Sequence, residues 1–92
     1  MGEVIIGFKL YPKSVETDLE QLKGEIEKGL PSGVRISRSR IEPIAFGLNA
    51  LLLDIVVPEQ QEAVADKVEE LIRSNINVEN VEVLSQRRVL RL

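Results

Sequence analysis

A chain of 92 residues with 43% hydrophobic and 29% charged side chains has the composition of one soluble globular domain spanning residues 1–92, outside the disordered range. It contains no cysteine and no histidine, which removes disulfides, thiolate metal sites, thiol catalysis, and the commonest general base and metal ligand. The net charge of −3 argues against a dedicated nucleic-acid binder, and neither a signal peptide nor a membrane span is visible, so a cytoplasmic protein is the default expectation.

Residues 3–11 read as a strand in which Val4, Ile6, Phe8 and Leu10 form one alternating face, ending at Pro12. A helix follows. Thr17 and Glu20 have capping-box spacing, and Val15, Leu19, Leu22, Ile26 and Leu30 recur as one apolar stripe. Gly29 and the turn Pro31-Ser32-Gly33 close that helix. Residues 34–41 form a second strand whose three arginines and two serines suit a sheet edge with a wet outer face.

The segment from Ile41 to Leu48 connects two strands. Pro43 donates no ladder hydrogen bond and biases Glu42 toward an extended conformation. Gly47 permits a bulge or the close approach of another backbone. Phe46, one of two phenylalanines, has two readings: a loop aromatic folded back on the core, or an exposed anchor for a partner protein. Residues 48–57 then form the most apolar strand, expected at the centre of a sheet, with Asp54 on its solvent face or near the strand's end.

Pro58-Glu59-Gln60-Gln61 opens a second helix with Val64, Val68, Leu71 and Ile72 on its buried stripe, ended by Ser74-Asn75. Residues 78–86 form the fourth strand, with Val81 and Val83 as core positions. The basic tail Arg87-Arg88-Val89-Leu90-Arg91-Leu92 is either a solubilising frayed end or a device that carries guanidinium groups to an acidic or phosphate-rich pocket. The order strand, helix, strand, strand, helix, strand, with right-handed crossovers, predicts an α+β, ferredoxin-like βαββαβ sandwich. Four antiparallel strands would carry two helices on one face.

This content excludes much chemistry. No serine has a histidine to activate it, no glycine-rich phosphate loop is present, and the 3% aromatic content leaves little for an RNA-recognition face. No catalytic residue, cofactor or metal ligand is expected. A binding or regulatory module is what remains.

The block Glu42-Pro43-Ile44-Ala45-Phe46-Gly47-Leu48, followed by Ala50-Leu51 and the run to Val56-Val57, resembles the nucleotide-exchange domain of elongation factor 1-beta. The similarity is greatest to the short archaeal form, which consists of this domain alone. Met1-Gly2-Glu3-Val4, Asp18-Leu19-Glu20-Gln21-Leu22-Lys23, Val81-Glu82-Val83 and Arg87-Arg88 fit the same pattern, so the resemblance covers essentially the whole chain. The resemblance implies a factor that accelerates GDP release from elongation factor 1-alpha, the translation GTPase, during peptide-chain elongation. It also implies a partner-binding set of Pro43, Phe46, Gly47, Arg87 and Arg88. Phe46 would meet the GTPase's second domain, and a basic residue near the C-terminus would reach the magnesium site beside the nucleotide. Arg88 matches that position, where the eukaryotic form has lysine; Arg87 is the other candidate. The alternative is a ferredoxin-like regulatory or small-molecule-sensing module acting on an enzyme partner.

Overall fold

Apolar residues drive both central strands of the sheet, alternating in the first and nearly continuous in the other. In the computed structural model, which describes residues 2–60 and 62–90 (side chains of 62 and 90 excepted), β1 is Gly2–Pro12, β2 Arg35–Pro43, β3 Asn49–Pro58 and β4 Val78–Leu90. Helices α1, Leu19–Gly29, and α2, Glu62–Arg73, form the two crossovers. All strand pairs are antiparallel, in the order β2-β3-β1-β4, and the architecture is ferredoxin-like. Gln61, Arg91 and Leu92, which belong to the expected second-helix opening and basic tail, lie outside the described residues, as does Met1.

The register makes the core. Val4 pairs with Val57, Ile6 with Ile55, Phe8 with Leu53 and Leu10 with Leu51, so one face of the two central strands is continuously apolar. Leu19, Leu22 and Ile26 of α1, with Val68 and Ile72 of α2, close over it. Truncating a fully buried residue such as Leu22 or Ile26 to alanine costs about 2–5 kcal/mol. The strand of residues 48–57 is central as expected, and Asp54 lies opposite Gly7 on the helix-free face.

Helix α1 begins later than the capping-box spacing implies. Asp18, not Thr17, is the N-cap: its Oδ1 accepts from the backbone N–H of Glu20 at 3.0 Å and of Gln21 at 3.1 Å. Val15 therefore leaves the apolar stripe and sits 61% exposed in the preceding turn. At the other end Leu30 is the C-cap, held extended because Pro31 follows it.

Three irregularities control which side chains face where. In β2, Ile36 pairs with Ile55 and Arg38 with Asp54, leaving Ser37 as an extra residue. This shift brings Arg35, Arg38 and Arg40 together on the helix-free face. In β4, Glu79 is extra between the Pro12–Val78 and Tyr11–Asn80 pairs, which lets both Val78 and Val81 reach the core. Leu84 is extra between the Phe8–Val83 and Gly7–Ser85 pairs. Val83, expected in the core, is 44% exposed on the edge strand β4. Residues 87–90, expected as a tail, continue β4 in register with β1.

The helix-free face has its own apolar layer. Ala50, Leu52 and Val56 are buried there without a helix above them. Pairing sets Arg35 and Ile5 on either side of Val56, and Arg40 and Lys9 on either side of Leu52. Aliphatic stems of long charged side chains cover such positions while their heads stay in water.

Candidate functional site

The sequence-derived residues fall into two groups at opposite ends of the sheet. Pro43, Phe46 and Gly47 belong to the β2–β3 hairpin at one end. Arg87 and Arg88 lie near the end of β4, at the other.

The hairpin closes through Ile44 N–H donating to the Leu48 carbonyl at 2.9 Å and Leu48 N–H donating to Ala45 at 2.8 Å. Phe46 and Gly47, the two central residues of that turn, have φ of 53° and 79°, the type I′ pattern. Gly47 thus serves a left-handed turn rather than a bulge or a close backbone approach. Pro43 is the last residue of β2, paired with Asn49. Left-handed backbone at a phenylalanine is strained, and its ring is 98% exposed, so the reading in which it folds onto the core fails. A strained backbone that holds an apolar ring in water points to a binding role.

Sequence reasoning missed the rest of this tip. Val15 lies against Gly47: a Cβ built on that glycine would meet Val15 Cγ1 at 3.9 Å. Ile76 is 80% exposed in the α2–β4 turn, which Lys13 N–H ties to this end by donating to the Asn77 carbonyl at 3.0 Å. With Ile44, 37% exposed, these are further exposed apolar side chains at the Phe46 end of the sheet. The signal for Val15 was present in Asp18, whose N-capping role starts the helix only beyond Val15.

At the far end, β4 separates its two arginines onto opposite faces. Arg87 pairs with Ile5 and faces the helix-free side; Arg88 pairs with Val4 and faces the helix side. Unbroken alternation from Val81 and Val83 would have done the reverse, and the extra residue Leu84 exchanges them. The Arg88 Nε lies 2.8 Å from Glu59 Oε1 in an ion pair. The two side chains border a cleft of about 480 Å³ between β4 and the start of α2, together with Val4, Val57, Ala65 and Gln86.

Between the ends, the helix-free face carries a fixed polar pair and a shallow hollow. Lys9 Nζ lies 2.9 Å from Glu42 Oε2 and 5.4 Å from the centre of the Tyr11 ring. The hydrogen bond to Glu42 raises the Lys9 pKa above its ordinary value, and the same bond lowers that of Glu42. A hollow of about 270 Å³ over Gly7 is bordered by Arg38, Arg40, Leu52, Asp54 and Ser85. Among the described residues, Arg38, Arg40 and Arg87 make no ion pair, and no cluster of carboxylates suits a metal ion. No helix among them is long and apolar enough to cross a membrane.

From the pair Pro43–Asn49 to Val57, which shares the Val4 position with Arg88, β3 runs eight residues, or about 26 Å at about 3.3 Å each. The long axis of the molecule is 43 Å.

Residues 5–89 match the model of the EF-1 guanine nucleotide exchange domain. The chain is 41% identical over 87 residues to elongation factor 1-beta of Sulfolobus acidocaldarius, covering 95% of this chain and 97% of that protein. It is 40% identical over 89 residues to elongation factor 1-beta of Hyperthermus butylicus, covering 97% of each chain. Among solved structures, the C-terminal domain of the MgtC protein from Mycobacterium tuberculosis superposes with a TM-score of 0.57. That match covers 91% of this chain and 86% of that domain at 12% identity, which bears on the fold alone. With a family model spanning nearly all of its described length and full-length relatives at this level of identity, the chain belongs to the EF-1 guanine nucleotide exchange domain family.

Proposed function

We propose that this protein is a guanine nucleotide exchange factor that promotes GDP release from the translation GTPase elongation factor 1-alpha in the cytoplasm. The observation that carries the reading, beyond family membership, is the two-ended layout. The exposed Phe46 at the hairpin tip and the Arg88 guanidinium stand at opposite ends of one sheet, whose central strand β3 runs about 26 Å from the Pro43–Asn49 pair to Val57. Phe46, with Pro43 and Gly47 shaping its turn, docks one domain of the GTPase. Arg88 reaches toward the nucleotide and the magnesium ion that the GTPase holds.

The action is linkage rather than bond chemistry. A factor that binds the nucleotide-free GTPase more tightly than the GDP-bound one lowers GDP affinity by the same factor. A guanidinium near the magnesium competes with it for carboxylate and phosphate oxygens. No covalent bond of the nucleotide changes, so the protein requires no general base and is not an enzyme in that sense.

Release of a fluorescent GDP analogue from elongation factor 1-alpha, with and without this protein, tests the proposal. Acceleration that saturates with factor concentration is expected. An unchanged release rate at excess factor would overturn it.

A further inference from the structure

Arg88 is not left to find its own direction. Its guanidinium is gripped at Nε by Glu59, and Glu59 is itself fixed by β1. The Glu59 backbone N–H donates to the Gly2 carbonyl at 3.1 Å. The Glu59 carboxylate also occupies the space where a side chain at position 2 would begin: a Cβ built on Gly2 collides with Glu59 Oε2. The absence of a side chain at Gly2 is therefore what admits the carboxylate. The β3–α2 connection, the first residue of β1 and the far end of β4 thus meet at one ion pair.

The geometry of the pair decides what it does. Arg88 carries five N–H donors, and the nitrogen paired with Glu59 is Nε, at the base of the fork. The side chain remains 65% exposed against 28% for Glu59, so the terminal nitrogens stay available for a second acceptor. A carboxylate that covered the terminal nitrogens would silence the arginine. One that holds Nε orients the fork and leaves its outer edge for an incoming oxyanion. We propose that Glu59 is a positioning residue: it pre-sets the Arg88 guanidinium for a bidentate contact with an oxyanion (phosphate or carboxylate) on the partner GTPase. This rests on the exchange-factor reading. It goes beyond it in naming a residue that touches neither nucleotide nor GTPase and an interaction that lysine at position 88 cannot reproduce.

Three variants and one spectroscopic signal test the assignment. Glu59→Ala removes the grip and is expected to lower the saturating rate of stimulated GDP release about tenfold, with little change in the half-saturating concentration. Glu59→Gln keeps an acceptor oxygen for Nε and is expected to recover most of that loss, to within about threefold of wild type. Gly2→Ala leaves Glu59 in the chain but displaces its carboxylate, so it should reproduce the Glu59→Ala rate loss. A saturating rate in Glu59→Ala at or above that of the wild type would overturn the proposal, because it would make the pair a restraint on Arg88. A loss confined to the half-saturating concentration would also overturn it, by making Glu59 a docking contact. The Arg88 Nε–H resonance, read in the isolated protein, requires no GTPase. Its hydrogen exchange should be slowed in wild type and Glu59→Gln and fast in Glu59→Ala and Gly2→Ala. An identical signal in wild type and Glu59→Ala refutes the positioning role on its own. Failure of the wild-type protein to release GDP, with the resonance behaving as expected, refutes the exchange function instead.

Discussion

Replacing Phe46 with asparagine should make the protein more stable and less able to bind its partner. The ring is 98% exposed, so its removal forfeits almost no packing in the free protein. Its backbone, at φ 53°, is left-handed, a conformation that strains most L-residues by about 1–2 kcal/mol and that asparagine tolerates. The substitution also creates Asn-Gly, the preferred pair for a type I′ hairpin turn. A gain of about 1 kcal/mol in unfolding free energy follows, which for a domain of this size raises Tm by about 4–8 °C. The partner interface loses a phenyl group whose burial is worth at most about 4 kcal/mol, from roughly 150 Å² at about 25 cal/mol per Å². A loss of about 2 kcal/mol, near 30-fold in affinity, is the hot-spot expectation. Urea melts and calorimetric titration against GDP-bound elongation factor 1-alpha read the two effects separately. A destabilised Phe46→Asn variant would show that the ring has packing partners in the free protein. An unchanged affinity would remove Phe46 from the interface.

Arg88→Ala should reduce the saturating exchange rate by roughly 10- to 100-fold, more than it weakens binding, and Arg87→Ala should have the smaller effect because Arg87 faces away from Glu59; stopped-flow GDP release with a factor titration distinguishes them. Added free magnesium should slow the wild-type reaction and affect Arg88→Ala less, which a magnesium series checks. Asp18→Ala removes the cap of α1 and should lower stability by about 1 kcal/mol, read as a shift in urea midpoint at constant slope. The Lys9–Glu42 pair has a defined pH window. Glu42 has a lowered folded-state pKa, so its contribution is present above its ordinary value near 4.5 and lost as pH falls through the folded value. Lys9 has a raised one, so its contribution is present below 10.5 and lost as pH rises through the folded value. The stability difference between wild type and Glu42→Gln should therefore be flat from about pH 6 to 9 and vanish in acid, as melts across pH would record.

The order of elements was legible because the main ones carry a pattern: a period of two for β1, near 3.6 for α1 and α2, and an apolar run broken only by Asp54 between Ala50 and Val57 for β3. The stripe of Leu19, Leu22 and Ile26 survives intact in the structure. Where local hydrogen bonds compete, the pattern misled. Asp18 stands beside Thr17, both are capping residues, and only geometry shows that Asp18 takes the role and strands Val15 outside the helix. Strand parity was unreadable at Ser37, Glu79 and Leu84, since an extra residue leaves no mark in composition and inverts every face beyond it. The β4 extension was hidden by its arginines, which read as a tail although an edge strand readily carries them in water. Phe46 could not be placed because nothing in its identity announces a left-handed backbone. Its glycine neighbour marked the turn and not the direction of the ring.

The extra residue at Leu84 makes this edge tolerant of changes in length. Pairing resumes at Gly7–Ser85 beyond it, so a chain lacking Leu84 can keep every later pair and still deliver Arg88 opposite Val4. Deletion of one residue in this part of β4 is thus absorbed locally, as slack in a belt is taken up at the buckle. A chain of the same length that ironed the irregularity out would behave differently. Its outer half would slide by one position, Arg87 would stand opposite Val4, and Arg88 would overshoot by about 3.3 Å. The tandem arginines mean that a guanidinium faces Glu59 in either arrangement. What the irregularity sets is which of the two does so, and how far the strand projects past it.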